Sequence, residues 1–502
     1  MKLPRATGVL IHPSQLAGFP GRGNIGPASR ELVDRLADAG VGLWQMLPLG
    51  PPGYGGSPYA ARSAFAADTA LLDLNQLVSE GLLSEGDLAD APAWPEGAIA
   101  LEAEAWLLER VRRAARAFLA DADEAARAEL AAFRERQRYW LEDYCHFEAI
   151  KERHEGRAYW EWEPLGLRRC LPTALAAQGE ELAPAVDEFA VAQLLFQRQW
   201  DALRGYAAAR GVRLFGDLPI FVARDSADVW SRPELFELDA AGEPRVVAGV
   251  PPDDFSEDGQ LWGNPLYDWD VHARSGYAWW IARVARAYEL TDYVRIDHFR
   301  GFAGYWEVPA QAATAREGRW VDGPRLPLFE AMKQELGDLP LIAEDLGEIT
   351  DDVTELLEQT GFPGMKILQF GYYDDDAEHP FRPENYPEEA VVYTGTHDNQ
   401  TSLGWYQGLD EATRARAHLR EEDPVGDLIE RAVSSRAGLA ILPAQDLLRL
   451  GDEARTNCPG VAEGNWVWRV TEGQLDEQAF AQLKELNAAH GRQLFPAEDA
   501  GS

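Results

Sequence analysis

The chain has 502 residues, and 47 Lys+Arg set against 84 Asp+Glu give a formal charge of −37 at pH 7. That charge repels nucleic acid and anionic membranes, which excludes both as partners. The 46% apolar and 10% aromatic content fills a sizeable core, which excludes a disordered acidic chain.

The basic residues are lopsided. Lys2, Lys151, Lys333, Lys366 and Lys484 are the only lysines; the rest of the positive charge is arginine. An acidic, lysine-poor surface fits a halophilic setting with a salt-rich cytoplasm. A GC-rich genome also favours arginine, but does not by itself produce the acid excess. Cys145, Cys170 and Cys458 are widely spaced, with no CxxC pairing, which fits a reducing cytosol and offers no zinc site. Met1 to Ala6 is not followed by an apolar signal-peptide core. No run approaches the length of a membrane span. The expected location is the cytoplasm.

Short apolar runs alternate with helical patterns. Gly8 to Pro13 reads as a buried strand, followed by a helix over Ser29 to Ala39 with Ser29 as N-cap and Gly40 as its stop. Val41 to Leu49 is the second strand. Further strands are expected at Val212 to Phe215, Tyr293 to Ile296, Leu339 to Ala343, Met365 to Phe370, Val391 to Tyr393 and Leu439 to Leu442. Helices are expected between them, at Asp187 to Arg210, Gly276 to Leu290 and Asp351 to Gln359. Eight strands alternating with helices predict an α/β fold, a (β/α)₈ TIM barrel formed by the whole chain. The spacing predicts two inserted subdomains. Residues 78–186, after the second strand, are rich in Ala, Glu, Arg and Leu and read as helical. Residues 221–275, after the third, are rich in Gly, Pro, Asp and Trp and read as a loop-rich substrate-binding excursion.

Acidic residues recur where strands end: Asp217, Asp297, Glu344 and Asp398. In a barrel those ends form the active-site face. Any one of them alone reads as a helix cap, but four in barrel register, with His298 and His397 beside two of them, point to chemistry. Paired carboxylates suit a retaining glycosidic reaction, in which one attacks the anomeric carbon and a protonated second serves the leaving oxygen. Adjacent strands, the fourth and fifth, supply the pair. Arg295 and Asp297 are two residues apart and share a side of their strand, so the arginine is expected to keep Asp297 ionised. Nearby carboxylates, with Asp345 next in sequence, are expected to hold up the pKa of Glu344. Tyr59 and Trp262 offer flat rings for the apolar face of a sugar. Tyr54 and Phe255 are further aromatic candidates, and Asn465 a polar one.

The motifs GDLPIFV (Gly216 to Val222), RIDHFRG (Arg295 to Gly301), AEDLG (Ala343 to Gly347) and THDN (Thr396 to Asn399) resemble the signatures of 4-α-glucanotransferases, the amylomaltases or disproportionating enzymes of glycoside hydrolase family 77. SPYAARSAFA (Ser57 to Ala66), GVPPDDFSEDGQLWGNPLY (Gly249 to Tyr267), LPAQDLL (Leu442 to Leu448) and PGVAEGNWVWR (Pro459 to Arg469) extend the resemblance over essentially the whole chain. It implies Asp297 as nucleophile, Glu344 as acid/base and Asp398 as transition-state stabiliser, with His397 assisting and Arg295 orienting Asp297. Ser57, Tyr59, Asp217, Gln260, Trp262 and Phe370 would line glucose subsites, with His298 beside the nucleophile. The implied partners are maltooligosaccharides and starch- or glycogen-derived glucans, handled without metal or organic cofactor by a monomer or weak homo-oligomer. One departure stands out: the family reads PPDYFS where this chain has Asp254 in place of the tyrosine, which bears on acceptor affinity and product size.

Three other readings compete. An α-amylase-like hydrolase would use the same intermediate, and only the resemblance chooses transfer. A non-catalytic glucan-binding module would be expected to lack one of the carboxylates. Gly21-Arg22-Gly23-Asn24-Ile25-Gly26 spells GxGxxG, but the second strand ends in Met46-Leu47-Pro48-Leu49 without the acidic residue of a dinucleotide site. These glycines are expected instead to let the loop approach the substrate cleft.

Overall fold

The computed structural model describes residues 2–19, 21–252, 256–461 and 463–497. Eight strands form a closed barrel: β1 (Ala6–Leu10), β2 (Leu43–Gln45), β3 (Arg213–Leu218), β6 (Tyr293–Ile296), β9 (Leu341–Ala343), β10 (Gly364–Ile367), β11 (Ala390–Tyr393) and β12 (Leu439–Pro443). They follow that order around the barrel, all parallel, and β12 closes against β1 through Ala6↔Leu439 to Leu10↔Pro443. All eight expected strands are present.

The pleat sorts side chains between two cores. Val391, Tyr393, Leu439 and Ile441 pack inside the barrel with Phe215, Ile342, Met365 and Ile367. The alternate residues Val392, Ala440 and Leu442 join the larger core beneath the surrounding helices. Gly8 faces the interior, where a Cβ would lie 2.6 Å from Ile441 and 2.8 Å from Leu43. Only glycine fits there.

Element ends differ from the expectation for local reasons. The first helix is Pro27–Asp38, with Gly26 at its N-cap and Pro27 at N1, where a fixed φ pre-organises the turn. Ser29 lies inside that helix, and its hydroxyl donates to the Asn24 carbonyl at 2.7 Å. Gly40, at φ 69°, follows its end. After β10 the chain tightens into a 3₁₀ turn, Leu368–Tyr372, so Phe370 is not in the strand.

Residues 78–186 hold the helices Ala103–Asp121, Glu124–Arg136 and Leu141–Arg153, and a 30-residue helix, Gly179–Ala208, runs on past position 186 toward β3. Residues 221–275 are mostly loop and short helical turns but contribute two strands, β4 (Val246–Val250) and β5 (Gln260–Pro265). These join β7 (Gly304–Pro309) and β8 (Arg319–Asp322) in an antiparallel sheet of order β5-β4-β7-β8. The sequence reading had no strands at β7 and β8. Among the described residues no helix is long and apolar enough to cross a membrane.

Candidate active site

The site is built on three neighbouring strands, β3, β6 and β9. Asp217 on β3 pairs in register with Arg295 on β6. Asp297 directly follows β6 and Glu344 directly follows β9, and the ladder continues past the strands: Asp297 N–H donates to Leu218 O at 3.0 Å and Glu344 N–H to Ile296 O at 3.1 Å. Two carboxylates from adjacent strands therefore emerge side by side.

Arg295 organises them. One terminal nitrogen lies 2.6 Å from Asp217 Oδ2; the other lies 2.8 Å from Asp297 Oδ1 and 4.0 Å from Glu344 Oε2. Asp217 is buried, its side chain 1% exposed. It also accepts from the Tyr59 hydroxyl at 2.7 Å. It therefore lies beneath the site, fixing Arg295 and Tyr59, rather than on the cleft wall.

His298 takes a left-handed φ of 48°, a conformation that costs a non-glycine residue about 1–2 kcal/mol. That turn aims its N–H at Glu344 Oε2, 2.5 Å away. Glu344 is pushed up to about 8, first by burial and then by the negative charge of Asp297, with Asp398 adding to it. Asp345 takes no part in this, because it turns away to accept from Met365 N–H at 2.6 Å and to face Lys366. Burial also raises Asp297, to about 6, against the pull of Arg295. The arginine thus moderates the rise, and the ionisation that its charge was expected to secure by itself is set against burial. The order of the two values is what matters: near neutral pH Asp297 is the ionised member and Glu344 the protonated one. Burial, reinforced by the positive charges of Arg300 and Arg295, lowers His298 to about 4, so its imidazole is neutral.

Asp398, on the loop after β11, accepts from Asn457 Nδ2 at 2.6 Å and lies 3.2 Å from His397 Nε2. Desolvation opposes its ionisation, but His397 and Asn457 outweigh it and hold Asp398 well below the usual carboxylate range. The Tyr59 ring stacks on His397 with centroids 5.1 Å apart, and Trp466 packs against both. Trp262, on β5, meets His298 edge-on at 4.9 Å and accompanies Gln260, which accepts from its indole N–H at 3.1 Å.

These side chains line one open cleft of about 1060 Å³. Of the residues singled out from sequence, Ser57, Tyr59, Gln260, Trp262, Arg295, Asp297, His298, Glu344, His397, Asp398 and Asn465 lie along it. Asn465 uses its amide internally, accepting from Cys458 N–H at 2.8 Å and donating to Val461 O at 2.7 Å. Phe370 is not on the wall; it packs against Phe381, with centroids 5.5 Å apart, beside the barrel interior. Phe255 and Asp254 lie outside the described residues. Asn457 and Trp466 were missed, since nothing in their spacing marks them. The Gly21 to Gly26 segment is buried and lines no part of the cleft, with Gly21 against Trp94 and Ala103, Gly23 against Pro13 and Leu16, and Gly26 against Asp73. A Cβ on Gly23 would fall 2.3 Å from the Pro13 carbonyl oxygen, so packing explains that glycine. Among the described residues, no three His, Cys, Asp or Glu side chains converge as metal ligands.

A family model described as 4-alpha-glucanotransferase matches residues 11–475. The chain belongs to glycoside hydrolase family 77. A 4-alpha-glucanotransferase of Thermus thermophilus is 48% identical over 98% of this chain and 100% of its own length. One from Synechocystis is 43% identical, covering 98% and 99%. Among solved structures, an amylomaltase from Streptococcus agalactiae in complex with acarbose superposes with a TM-score of 0.93 at 39% identity, covering 97% of this chain and 100% of its own. The amylomaltase of Corynebacterium glutamicum shares the fold at a TM-score of 0.77 and 19% identity. Family membership makes the chain a glycosyltransferase acting on α-1,4-glucans, and favours transfer over the hydrolytic alternative. It leaves no ground for the dinucleotide reading.

Proposed function

We propose that this family 77 enzyme moves α-1,4-glucan segments by double displacement through the residues gathered on Arg295. The observation that carries the reading is the shared guanidinium: both Asp297 and Glu344 lie within 4.0 Å of one arginine nitrogen. Asp297 attacks the anomeric carbon while the glycosidic C–O bond breaks, and Glu344 passes its proton to the departing 4-oxygen. The acceptor's 4-hydroxyl then returns a proton to Glu344 as its oxygen displaces Asp297. Two inversions give net retention. Asp398, kept anionic by His397 and Asn457, faces the positive charge that develops on the sugar ring.

Maltooligosaccharides and starch- or glycogen-derived glucans are the substrates, and Ser57, Gln260, Trp262, His298 and Asn465 contact them along the cleft. Asp217 acts from beneath, through Arg295 and Tyr59, and Phe370 from behind, through packing. The helical segment 78–186 and the loop-rich segment 221–275 are insertions that shape this cleft. No cofactor enters the scheme. The enzyme works in a salt-rich cytoplasm as a monomer or weak homo-oligomer.

Incubation with maltotriose, followed by chromatography of the products, tests the reaction. Glucose with a ladder of longer maltodextrins is expected. Glucose and maltose alone, with reducing ends rising in step, would overturn transfer in favour of hydrolysis.

A further inference from the structure

Three tryptophans crowd the junction between the helical segment and the loop after β3, and one is unlike the other two. Trp162 and Trp230 are fully buried, and their indole N–H groups donate to the carbonyls of Arg157 at 3.0 Å and Leu167 at 2.7 Å. Trp160 is only half-buried and lines the substrate cleft. Among the described residues its N–H has no protein acceptor.

The indole of Trp160 is nevertheless braced. The Arg224 guanidinium sits over its ring at 4.1 Å, and Tyr159 meets it edge-on at 5.2 Å. Beside it, Asp225 accepts from Lys151 Nζ at 2.5 Å and from the Tyr159 N–H at 3.1 Å. Lys151, Arg224 and Asp225 line the same cleft. An ordered aromatic ring with a free N–H, next to a lysine and a carboxylate that retain hydrogen-bonding capacity, has the composition of a sugar-binding surface.

A firm floor links this patch to the reacting carboxylates. The segment from Pro219 to Asp225 leaves the end of β3 and is fixed by Tyr267 Oη donating to Ile220 O at 2.7 Å and Asn264 Nδ2 to Val222 O at 2.9 Å. The cleft, of about 1060 Å³, sits at the upper end of the roughly 300–1,000 Å³ that holds a compact ligand, and it runs without a break from Asp297 and Glu344 to Lys151, Trp160 and Asp225. It is open to solvent, so a chain can lie along it beyond the sugars flanking the bond that breaks.

We infer that Trp160, with Lys151 and Asp225, forms a distal subsite that grips a glucose unit of a long α-1,4-glucan away from the reacting bond. This rests on assigning the cleft to such glucans. A distal grip adds affinity only for chains long enough to reach it.

The test is binding of maltoheptaose and of maltotriose by calorimetry, in Asp297→Asn protein so that no turnover intervenes. Trp160→Ala is expected to weaken maltoheptaose binding about tenfold and leave maltotriose binding unchanged. Trp160→Phe, which keeps the ring packed on Arg224 but lacks the N–H, is expected to fall between, with a thermal midpoint close to that of the parent. Equal weakening of both sugars, or of neither, would overturn the inference. If Trp160→Ala alone loses its fold, Trp160→Phe decides the matter: undiminished maltoheptaose binding there overturns the subsite. A wild-type enzyme that binds maltoheptaose through Trp160 but transfers no glucosyl unit would refute the proposed reaction while leaving the subsite standing.

Discussion

The backbone N–H of His298 donates to Glu344 Oε2 across 2.5 Å, so the residue that follows Asp297 in sequence holds the carboxyl on the next strand. The contact exists because His298 takes a left-handed φ. With Oε2 engaged as an acceptor, the proton of Glu344 belongs on Oε1. The same turn that ends β6 therefore sets both the position of one carboxylate and the orientation of the other.

Transfer should follow a bell-shaped pH profile with limbs near 6 and 8, matching the raised values of Asp297 and Glu344. Below the lower limb Asp297 is protonated and no longer attacks; above the upper limb Glu344 has no proton to give. The two groups interact, so the limbs belong to the pair. Initial rates on maltotriose from pH 4 to about 10 provide the check, and an activity that climbs steadily past the upper limb would contradict the assignment.

Glu344→Gln should abolish most transfer, by about 10²–10⁴-fold, while making the protein more stable at neutral and alkaline pH. Glu344 is raised in the folded state, to about 8. Its contribution to stability is therefore complete only below its ordinary unfolded pKa and falls away as pH rises toward the folded value. At pH 7 folding must carry a proton the unfolded chain has lost, which costs on the order of 3 kcal/mol. Glutamine removes that cost. Denaturant melts of both proteins at pH 5 and 8 should show the gap widening with pH.

Asp217→Ala should destabilise the fold by about 3–5 kcal/mol, because it leaves Arg295 buried beside a missing partner. The turnover number should fall as well, since the guanidinium is then free to recentre on Asp297. Asp217→Asn, which keeps the shape and an acceptor, should lose less of both. Unchanged stability in the alanine variant would show that Asp217 is not the anchor.

Asn457→Ala should lower the turnover number while leaving maltotriose affinity nearly unchanged. It removes the donor 2.6 Å from Asp398 Oδ1, a hydrogen bond to a charged group worth about 1.5–3 kcal/mol. Without it the Asp398 pKa rises toward the ordinary range, so a second protonation joins that of Asp297 and the acid limb of the pH profile should become steeper at its low end. An unaltered turnover number would remove Asn457 from the machinery.

The charge of −37 predicts a response to salt. In molar salt the screening length shrinks to about 3 Å, which suppresses repulsion among surface carboxylates but hardly touches the buried Arg295 cluster. The thermal midpoint and the maltotriose rate should hold or rise between dilute buffer and molar sodium chloride. Unfolding in high salt, with greatest stability in dilute buffer, would refute the halophilic reading.

Several features are legible in the sequence alone. The eight strand runs and the four strand-end acids were readable because a buried parallel strand must be apolar, and a charge at its end is tolerated only at a solvent-facing mouth. Strands β7 and β8 were not readable: Gly304 to Pro309 and Arg319 to Asp322 are partly exposed and lack a buried run. Phe370 was misplaced because a strand and a 3₁₀ turn carry the same apolar signal over so few residues. Asn457 and Trp466 gave no signal, since their partners Asp398, Tyr59 and His397 are distant in sequence.

By itself, then, the sequence determined the barrel, the family and the carboxylates proposed to carry the reaction, because periodicity and motif are local properties. Only the tertiary structure decided how the proton is held. Arg295 lies two residues from Asp297 in sequence, which pointed to an ionised Asp297 through charge pairing alone. Burial instead raises both Asp297 and Glu344. The arginine's unequal distances, 2.8 and 4.0 Å, then assign the negative charge to the nearer carboxylate. Desolvation and distance are properties of the assembled cleft, and no stretch of sequence contains them.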